Sequence, residues 1–345
     1  MVTLCTLFDS YYLDKGLALY DSLCNTSSNF KLYVLAMDDK CYEVLCTLHL
    51  DNMIPVSLKE FEDQELLQIK KERTTAEYCW TCTPAFTEYV LLKYSPDICT
   101  YVDADIYFYE SPIVLLNELT ERNASVLLVN HRYCKYDQWR IAISGRFCVE
   151  FNSFKNDHDG RYLLHLWKSQ CYECCSKLYD GIHFADQKYL DNWVNDYPYA
   201  IETENLGAGV APWNFPDYNF VVKTGNSLKL YYKRKECDLV FYHFEKIKYI
   251  EENLVDIGVF NRWGVDPNMV KAIYPDYLRH LELKKELLKN HFNISYSQKE
   301  YPGLSARGSK GLSITKRISF YCRNFSFSKF FNEWLPFKIN HSKNI

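Results

Sequence analysis

Two acids one residue apart, Asp103 and Asp105, interrupt the apolar run Thr100-Tyr101-Val102-Asp103-Ala104-Asp105-Ile106-Tyr107-Phe108. Side chains alternate faces along a strand, so both carboxylates are expected on one side, with the small Ala104 between them. Such a pair builds a poor core but a good claw for a hard divalent cation. Mg²⁺ and Mn²⁺ take oxygen ligands and keep positions open for phosphate oxygens, which suits a nucleotide diphosphate. The bland alternative is a plain turn at a strand end. The chain supplies a control in Asp157-His158-Asp159, the same spacing inside the polar stretch 155–160, where Asp and Gly favour a solvated turn.

Two other segments offer chemistry. In the loop Leu206-Gly207-Ala208-Gly209-Val210-Ala211-Pro212-Trp213-Asn214, glycines let the backbone approach a ligand and Trp213 offers a stacking face for a pyranose. Gly209, Trp213 and Asn214 are therefore candidates for sugar or acceptor contact; the same residues also read as a tight turn around a core tryptophan. Cys79-x-x-Cys82 and Cys171-x-x-Cys174-Cys175 have zinc-like spacing, but neither lies in a Gly-rich knuckle, and buried free cysteine is the simpler reading.

The elements that must position these residues alternate. Residues 1–9 read as a buried strand, and Leu13 to Leu23 as a helix with Leu13, Leu17, Leu19, Tyr20 and Leu23 at helical spacing. Strand 30–36, helix 41–48 and a short strand at 54–56 follow. A helix over 83–93 precedes the acid-bearing strand; further strands are expected at 125–129, 145–151 and 239–244, with a helix over 160–178. This β-α-β order predicts an α/β fold with a mostly parallel sheet, helices on both faces, and ligands at the carboxyl ends of the strands. One domain over 1–260 is the economical division, with a helical extension over 261–345.

Composition narrows the partners. A net charge of -4 and a pI near 6.2 provide no basic field, so nucleic acid is not expected. No apolar run reaches the roughly 20 residues that cross a bilayer, and the amino terminus carries no basic leader, so the expected location is cytoplasmic. The last segment differs. From Ser305 onward Arg307, Lys310, Lys316, Arg317, Arg323, Lys329, Lys338 and Lys343 face one acid, Glu333, and interleave with aromatics such as Phe320, Tyr321, Phe325 and Trp334. That mixture fits the headgroup layer of an anionic membrane, which would make the protein peripheral on the inner face; its alternative is a helical appendage packed on the main domain.

With its segments in this order, the chain resembles the nucleotide-sugar glycosyltransferases of GT-A type over roughly residues 1 to 250. It looks most like the retaining branch that contains glycogenin and the bacterial lipooligosaccharide galactosyltransferases. The resemblance implies a Rossmann-like GT-A fold in which Asp103, Ala104 and Asp105 match the D-x-D, the two acids binding Mn²⁺ (or Mg²⁺) and through it the donor diphosphate. It makes His243, in Val240-Phe241-Tyr242-His243-Phe244, the third metal ligand, although a lone histidine among aromatics also reads as a hydrogen-bonded core residue. The segment Thr6-Leu7-Phe8-Asp9-Ser10-Tyr11 matches the turn that holds base and ribose, with Thr6, Phe8, Asp9 and Tyr11 as contacts; Asp9-Ser10 reads equally as a helix cap. Lys248, with Lys246 near it, stands where the family places a phosphate-binding lysine. Asp186-Gln187-Lys188 resembles a D-Q-D segment, implying that Asp186 binds donor-sugar hydroxyls and Gln187 lies beneath the anomeric carbon. The third position departs from that motif. Ser144-Gly145-Arg146 falls where the family turns against the sugar, placing Ser144 at the donor and Arg146 at the phosphates or the acceptor.

The implied activity is a metal-dependent hexosyltransfer from a nucleotide diphosphate sugar, a UDP-sugar being favoured, to a glycan or lipid-linked acceptor. The implied outcome is retention, and the implied setting is surface polysaccharide or lipopolysaccharide assembly. An inverting route would need a general base, for which Asp186 is the candidate. Two rivals remain: a haloacid-dehalogenase-type phosphatase, which also sets Asp-x-Asp after an apolar strand, and a non-catalytic carbohydrate-binding or scaffolding module.

Overall fold

The computed structural model describes residues 1–224, 227–251, 254–259 and 265–296. The basic, aromatic segment after Ser305 lies outside the described residues. The chain begins with β1 (Val2–Phe8), α1 (Leu13–Thr26), β2 (Phe30–Ala36), α2 (Asp39–Leu48) and β3 (Met53–Ser57). The turn Ser10–Tyr12 between β1 and α1 is capped by Asp9, whose carboxylate accepts from the Tyr11 N–H at 3.0 Å, and α2 is capped by Asp38, which accepts from the Cys41 N–H at 2.6 Å. Two short helices, α3 (Leu58–Phe61) and α4 (Gln64–Lys70), lead to the long helix α5 (Thr75–Tyr94).

Helix α5 starts eight residues before the expected Thr83. Its true start is a capping box in which Thr74 and Glu77 satisfy each other's backbone N–H groups. Pro84 is accommodated inside the helix.

The chain continues through β4 (Ile98–Val102), β5 (Ile106–Phe108), α6 (Ile113–Glu121), β6 (Val126–Asn130), α7 (Arg140–Ser144), β7 (Phe147–Lys155) and α8 (His158–Glu173). Then come α9 (Trp193–Asp196), β8 (Ala200–Glu202), β9 (Tyr218–Thr224), β10 (Ser227–Tyr232), β11 (Lys235–Asp238), β12 (Phe241–His243), β13 (Lys248–Glu251), β14 (Leu254–Asp256) and α10 (Pro267–Phe292).

Seven strands form the central sheet in the order β3-β2-β1-β4-β7-β6-β8. Neighbours pair in parallel except β7, which runs antiparallel to both β4 and β6. The expected α/β architecture is present, with a mixed, mostly parallel sheet. Alternation along β2 divides the core into two layers: Leu32, Val34 and Ala36 face α1 and α10, while Tyr33 and Leu35 face α5. Helix α10 buries Ile273, Tyr274, Tyr277 and Leu281 in the first layer, so this part of the carboxyl-terminal extension packs as core.

Three smaller sheets complete the fold, of which the pair β12-β5 matters most. It sets His243 opposite Ile106, and the Phe244 N–H donates to the Asp105 carbonyl at 2.9 Å.

Candidate active site

Strand β4 ends at Val102, so Asp103-Ala104-Asp105 is not strand but the turn joining the central sheet to β5. The expectation of strand alternation is corrected here. The turn is held by the Ile106 N–H donating to the Asp103 carbonyl at 3.3 Å and by the Asp103 N–H donating to the Glu150 carbonyl on β7 at 3.0 Å. Both carboxylates nevertheless converge on His243, whose Nε2 is 3.1 Å from Asp105 Oδ1 and 3.8 Å from Asp103 Oδ2. The Tyr101 hydroxyl donates to the other Asp103 oxygen at 3.1 Å.

These three groups sit on the wall of a cavity of about 730 Å³. Leu7, Phe8, Asp9 and Tyr12 line it from the end of β1; Thr75, Cys79, Trp80 and Thr83 from α5; Arg140, Ser144, Cys148 and Val149 from α7 and β7; and Phe184, Asp186, Gln187, Trp213, Glu245 and Lys246 from the later loops. Gly16 belongs to this wall indirectly, because a Cβ there would strike the Phe8 ring at 2.3 Å. The cavity lies at the carboxyl ends of β1 and β4, as open α/β sheets favour.

The electrostatics are those of an acidic pit with one imidazole. Burial pushes the Asp103 carboxyl up to about 6, against the pull of His243. Burial also acts on Asp105, but the charge and hydrogen bond of His243, with Lys15 behind, hold it below the ordinary range. The reverse applies to His243: burial opposes its charge, and Asp105 with the other acids raises it well above the usual imidazole value. Asp186, 3% exposed, is pushed up to about 8 by burial and by repulsion from Asp103.

The donor set fits a divalent cation. Two ligands at right angles on an ion that binds at about 2.0–2.2 Å stand about 3 Å apart; the 3.1 Å between Nε2 and Asp105 is near that value, and the 3.8 Å to Asp103 is wider but within the span of two ligands of one ion. Two carboxylates with one imidazole suit Mn²⁺ or Mg²⁺. Among the described residues two other groups have ligand atoms within 4.8 Å of one another, Cys148 with Glu150 and His243, and Cys174 with Asp180 and His183. Neither reproduces the zinc-like cysteine spacing; Cys79 instead lines the cavity from α5.

Of the residues singled out in the sequence, Phe8, Asp9, Asp103, Ala104, Asp105, Ser144, Asp186, Gln187, Trp213 and His243 line this one cavity. Six others do not, and each has a physical reason. Thr6 is fully buried within β1. Tyr11 is 43% exposed, and the turn presents Tyr12 to the cavity instead. Arg146 pairs with Glu202 while its N–H donates to Asp191 at 2.6 Å, leaving Arg140 as the arginine on the wall. Lys248 is drawn into β13 opposite Asp256, and Lys246 lines the cavity in its place. Asn214 is spent inside its loop, donating to the His131 and Gly209 carbonyls at 2.8 and 2.7 Å and accepting from the Ala211 N–H. Gly209, at φ +65°, packs against Val129 and Glu150.

Trp213 is 5% exposed and anchored by its Nε1 to the His131 carbonyl; its ring meets the His243 ring edge to face at 5.3 Å and 87°. Gln187 donates to the Ser144 carbonyl at 2.5 Å, joining the two loops that close one side of the cavity.

Besides Tyr12 and Arg140, an acid behind the site was not foreseen. Glu150, on β7, is fully buried and places Oε2 2.6 Å from His243 Nδ1. The sequence signal was an acid between Val149 and Phe151 in an otherwise apolar strand.

No family model matches the chain. Among curated proteins it is 29% identical over 280 residues to the uncharacterized protein YfnD of Bacillus subtilis (strain 168), covering 80% of this chain and 88% of YfnD. It is 28% identical over 297 residues to the uncharacterized protein YfnF of the same strain, covering 84% and 95%. Solved structures that resemble it include two glycosyltransferases. An active-site mutant of LgtC matches with a TM-score of 0.49 and 12% identity, covering 83% of this chain and 96% of LgtC. Apo mouse xyloside xylosyltransferase 1 matches with a TM-score of 0.46 and 14% identity, covering 71% and 97%. At these scores the likeness is one of overall shape.

Proposed function

We propose that the protein is a metal-dependent glycosyltransferase of GT-A type that moves a sugar from a nucleotide diphosphate, a UDP-sugar being the favoured donor, to a glycan or lipid-linked acceptor. The observation that supports this most is the convergence of Asp103, Asp105 and His243 on one wall of a cavity at the carboxyl ends of the sheet strands. Asp103, Asp105 and His243 would hold Mn²⁺ or Mg²⁺, which would neutralise the charge that develops on a departing diphosphate. Phe8, Asp9 and Tyr12, at the end of β1, are suited to base and ribose. Lys246 and Arg140 are cations on the wall that can meet phosphate oxygens.

Asp186, with its carboxyl pushed up to about 8, is protonated at neutral pH in the metal-free state and can donate to a sugar oxygen. A neutral amide is a poor nucleophile, so Gln187 supports the anomeric carbon only electrostatically, and its bond to the Ser144 carbonyl orients it. Retention of configuration, a division into a catalytic unit over 1–260 and an extension over 261–345, and a setting in surface polysaccharide or lipopolysaccharide assembly belong to the same reading. So does a peripheral place at the inner face of a membrane through residues 305–345; no helix among the described residues is long and apolar enough to cross one.

The test is thermal stability against a panel of nucleotide sugars, each with and without Mn²⁺. One donor should raise Tm only when the metal is present, by the linkage of binding to stability. A panel without any metal-dependent shift, together with no hydrolysis of any donor, would overturn the proposal.

A further inference from the structure

Among the described residues β7 is the only antiparallel strand of the central sheet, and it carries a carboxylate where the sheet is buried on both faces. Glu150 is 0% exposed. An ionised carboxylate in such a place is costly unless it is paired. Its partner is specific: Oε2 stands 2.6 Å from Nδ1 of His243, shorter than either distance from Nε2 of the same ring to Asp105 or Asp103. The main chain of Glu150 acts on the other side of the centre, since its carbonyl accepts the Asp103 N–H at 3.0 Å. One residue therefore ties down both ligand-bearing segments, the acidic turn through its backbone and the histidine through its side chain.

The surroundings hold the imidazole at fixed tilt. The Trp213 ring meets it edge to face, Cys148 flanks it from the same face of β7, and the His243 N–H donates to the Val210 carbonyl at 2.9 Å. Gly209 completes the fit, because a Cβ at that position would lie 2.9 Å from Glu150 Oε1.

We infer that Glu150 is a positioning residue for the cation site: its carboxylate accepts the Nδ1 proton of His243, fixing the tautomer and the ring plane so that the Nε2 lone pair faces the pit between Asp103 and Asp105. The inference rests on the metal reading of that pit. Carboxylates behind metal-bound histidines set ligand orientation and basicity, and losing one typically costs about 10- to 100-fold in metal affinity. Glu150 touches neither metal nor substrate in this arrangement; it acts through His243.

The experiment uses the full chain and Mn²⁺ alone, followed by electron paramagnetic resonance of the free ion, alongside ring-nitrogen NMR of the Mg²⁺-loaded protein with the His243 signals assigned through His243→Gln. Wild type should bind one Mn²⁺ and show His243 protonated at Nδ1. Glu150→Gln should weaken Mn²⁺ binding by about 10- to 100-fold and populate the other tautomer, while Glu150→Asp, which keeps the charge on a shorter arm, should fall between. A wild-type His243 protonated at Nε2 instead would overturn the inference without any variant having to fold. Unchanged Mn²⁺ affinity and tautomer in a folded Glu150→Gln would overturn it as well, leaving the metal reading intact. If wild type binds no Mn²⁺, the metal reading falls first and the inference with it.

Discussion

The chain contains two Asp-x-Asp sequences, and the fold treats them in opposite ways. Asp157 caps α8: one carboxylate oxygen accepts from the Gly160 N–H and the other from the Ser125 hydroxyl, each at 2.8 Å. Asp159 faces solvent beside His158. Every demand of that pair is met by its own neighbourhood. Asp103 and Asp105 are instead turned toward a cavity, with one imidazole between them and the Tyr101 hydroxyl on the far oxygen of Asp103. Identical spacing thus marks a helix start in one place and a candidate cation site in the other. The difference lies in what the acids meet: the backbone and hydroxyl donors of a helix start in one pair, the wall of a cavity in the other.

Substitutions can break the comparison, and they rank by size. The largest effect is expected from Asp105→Asn or Asp103→Asn, which should abolish metal-dependent transfer, a loss of at least about 10³-fold, while circular dichroism remains native. Retained activity in either variant would remove the distinction between the pairs. Next comes pH. The Asp186 carboxyl is raised from 3.8 to about 8, so the folded state binds more protons than the unfolded chain between those values. Its stabilising contribution is therefore full below about pH 4 and is lost as pH rises toward 8. In chelator, Tm should fall across that window and Asp186→Asn should flatten the slope; an unchanged slope would relocate the titrating group. Asp157→Ala should cost about 0.5–2 kcal/mol in chemical denaturation through loss of the cap, with turnover unaltered. The smallest effect belongs to Asp159→Asn, expected within about 0.5 kcal/mol of wild type, which unfolding curves can check.

How much of this was legible depends on what each residue could reveal locally. The alternation of β1, α1, β2 and α2 follows from apolar periodicity and caps, and the acidic pair announced itself by breaking an apolar run. The turn phase after β1 was not legible: Asp9 gave the cap, but only backbone geometry decides that Tyr12 rather than Tyr11 reaches the cavity. Arg146 and Arg140 show the same limit, because a pairing with Glu202 from β8 is a long-range event. Glu150 was hidden for a different reason. On a sheet with one bare face an acid between Val149 and Phe151 would simply face water; here apolar layers cover both faces of β7, and only their packing discloses it.

The seat of His243 has a consequence for biosynthesis. Its strand, β12, follows all seven strands of the central sheet in the chain, and its pairing with β5 brings the imidazole to acids that left the ribosome much earlier. A nascent polypeptide therefore carries the two acids for more than a hundred residues of synthesis before the imidazole exists. Under the proposed function, a cation would find its imidazole ligand only in chains long enough to pair β12 with β5.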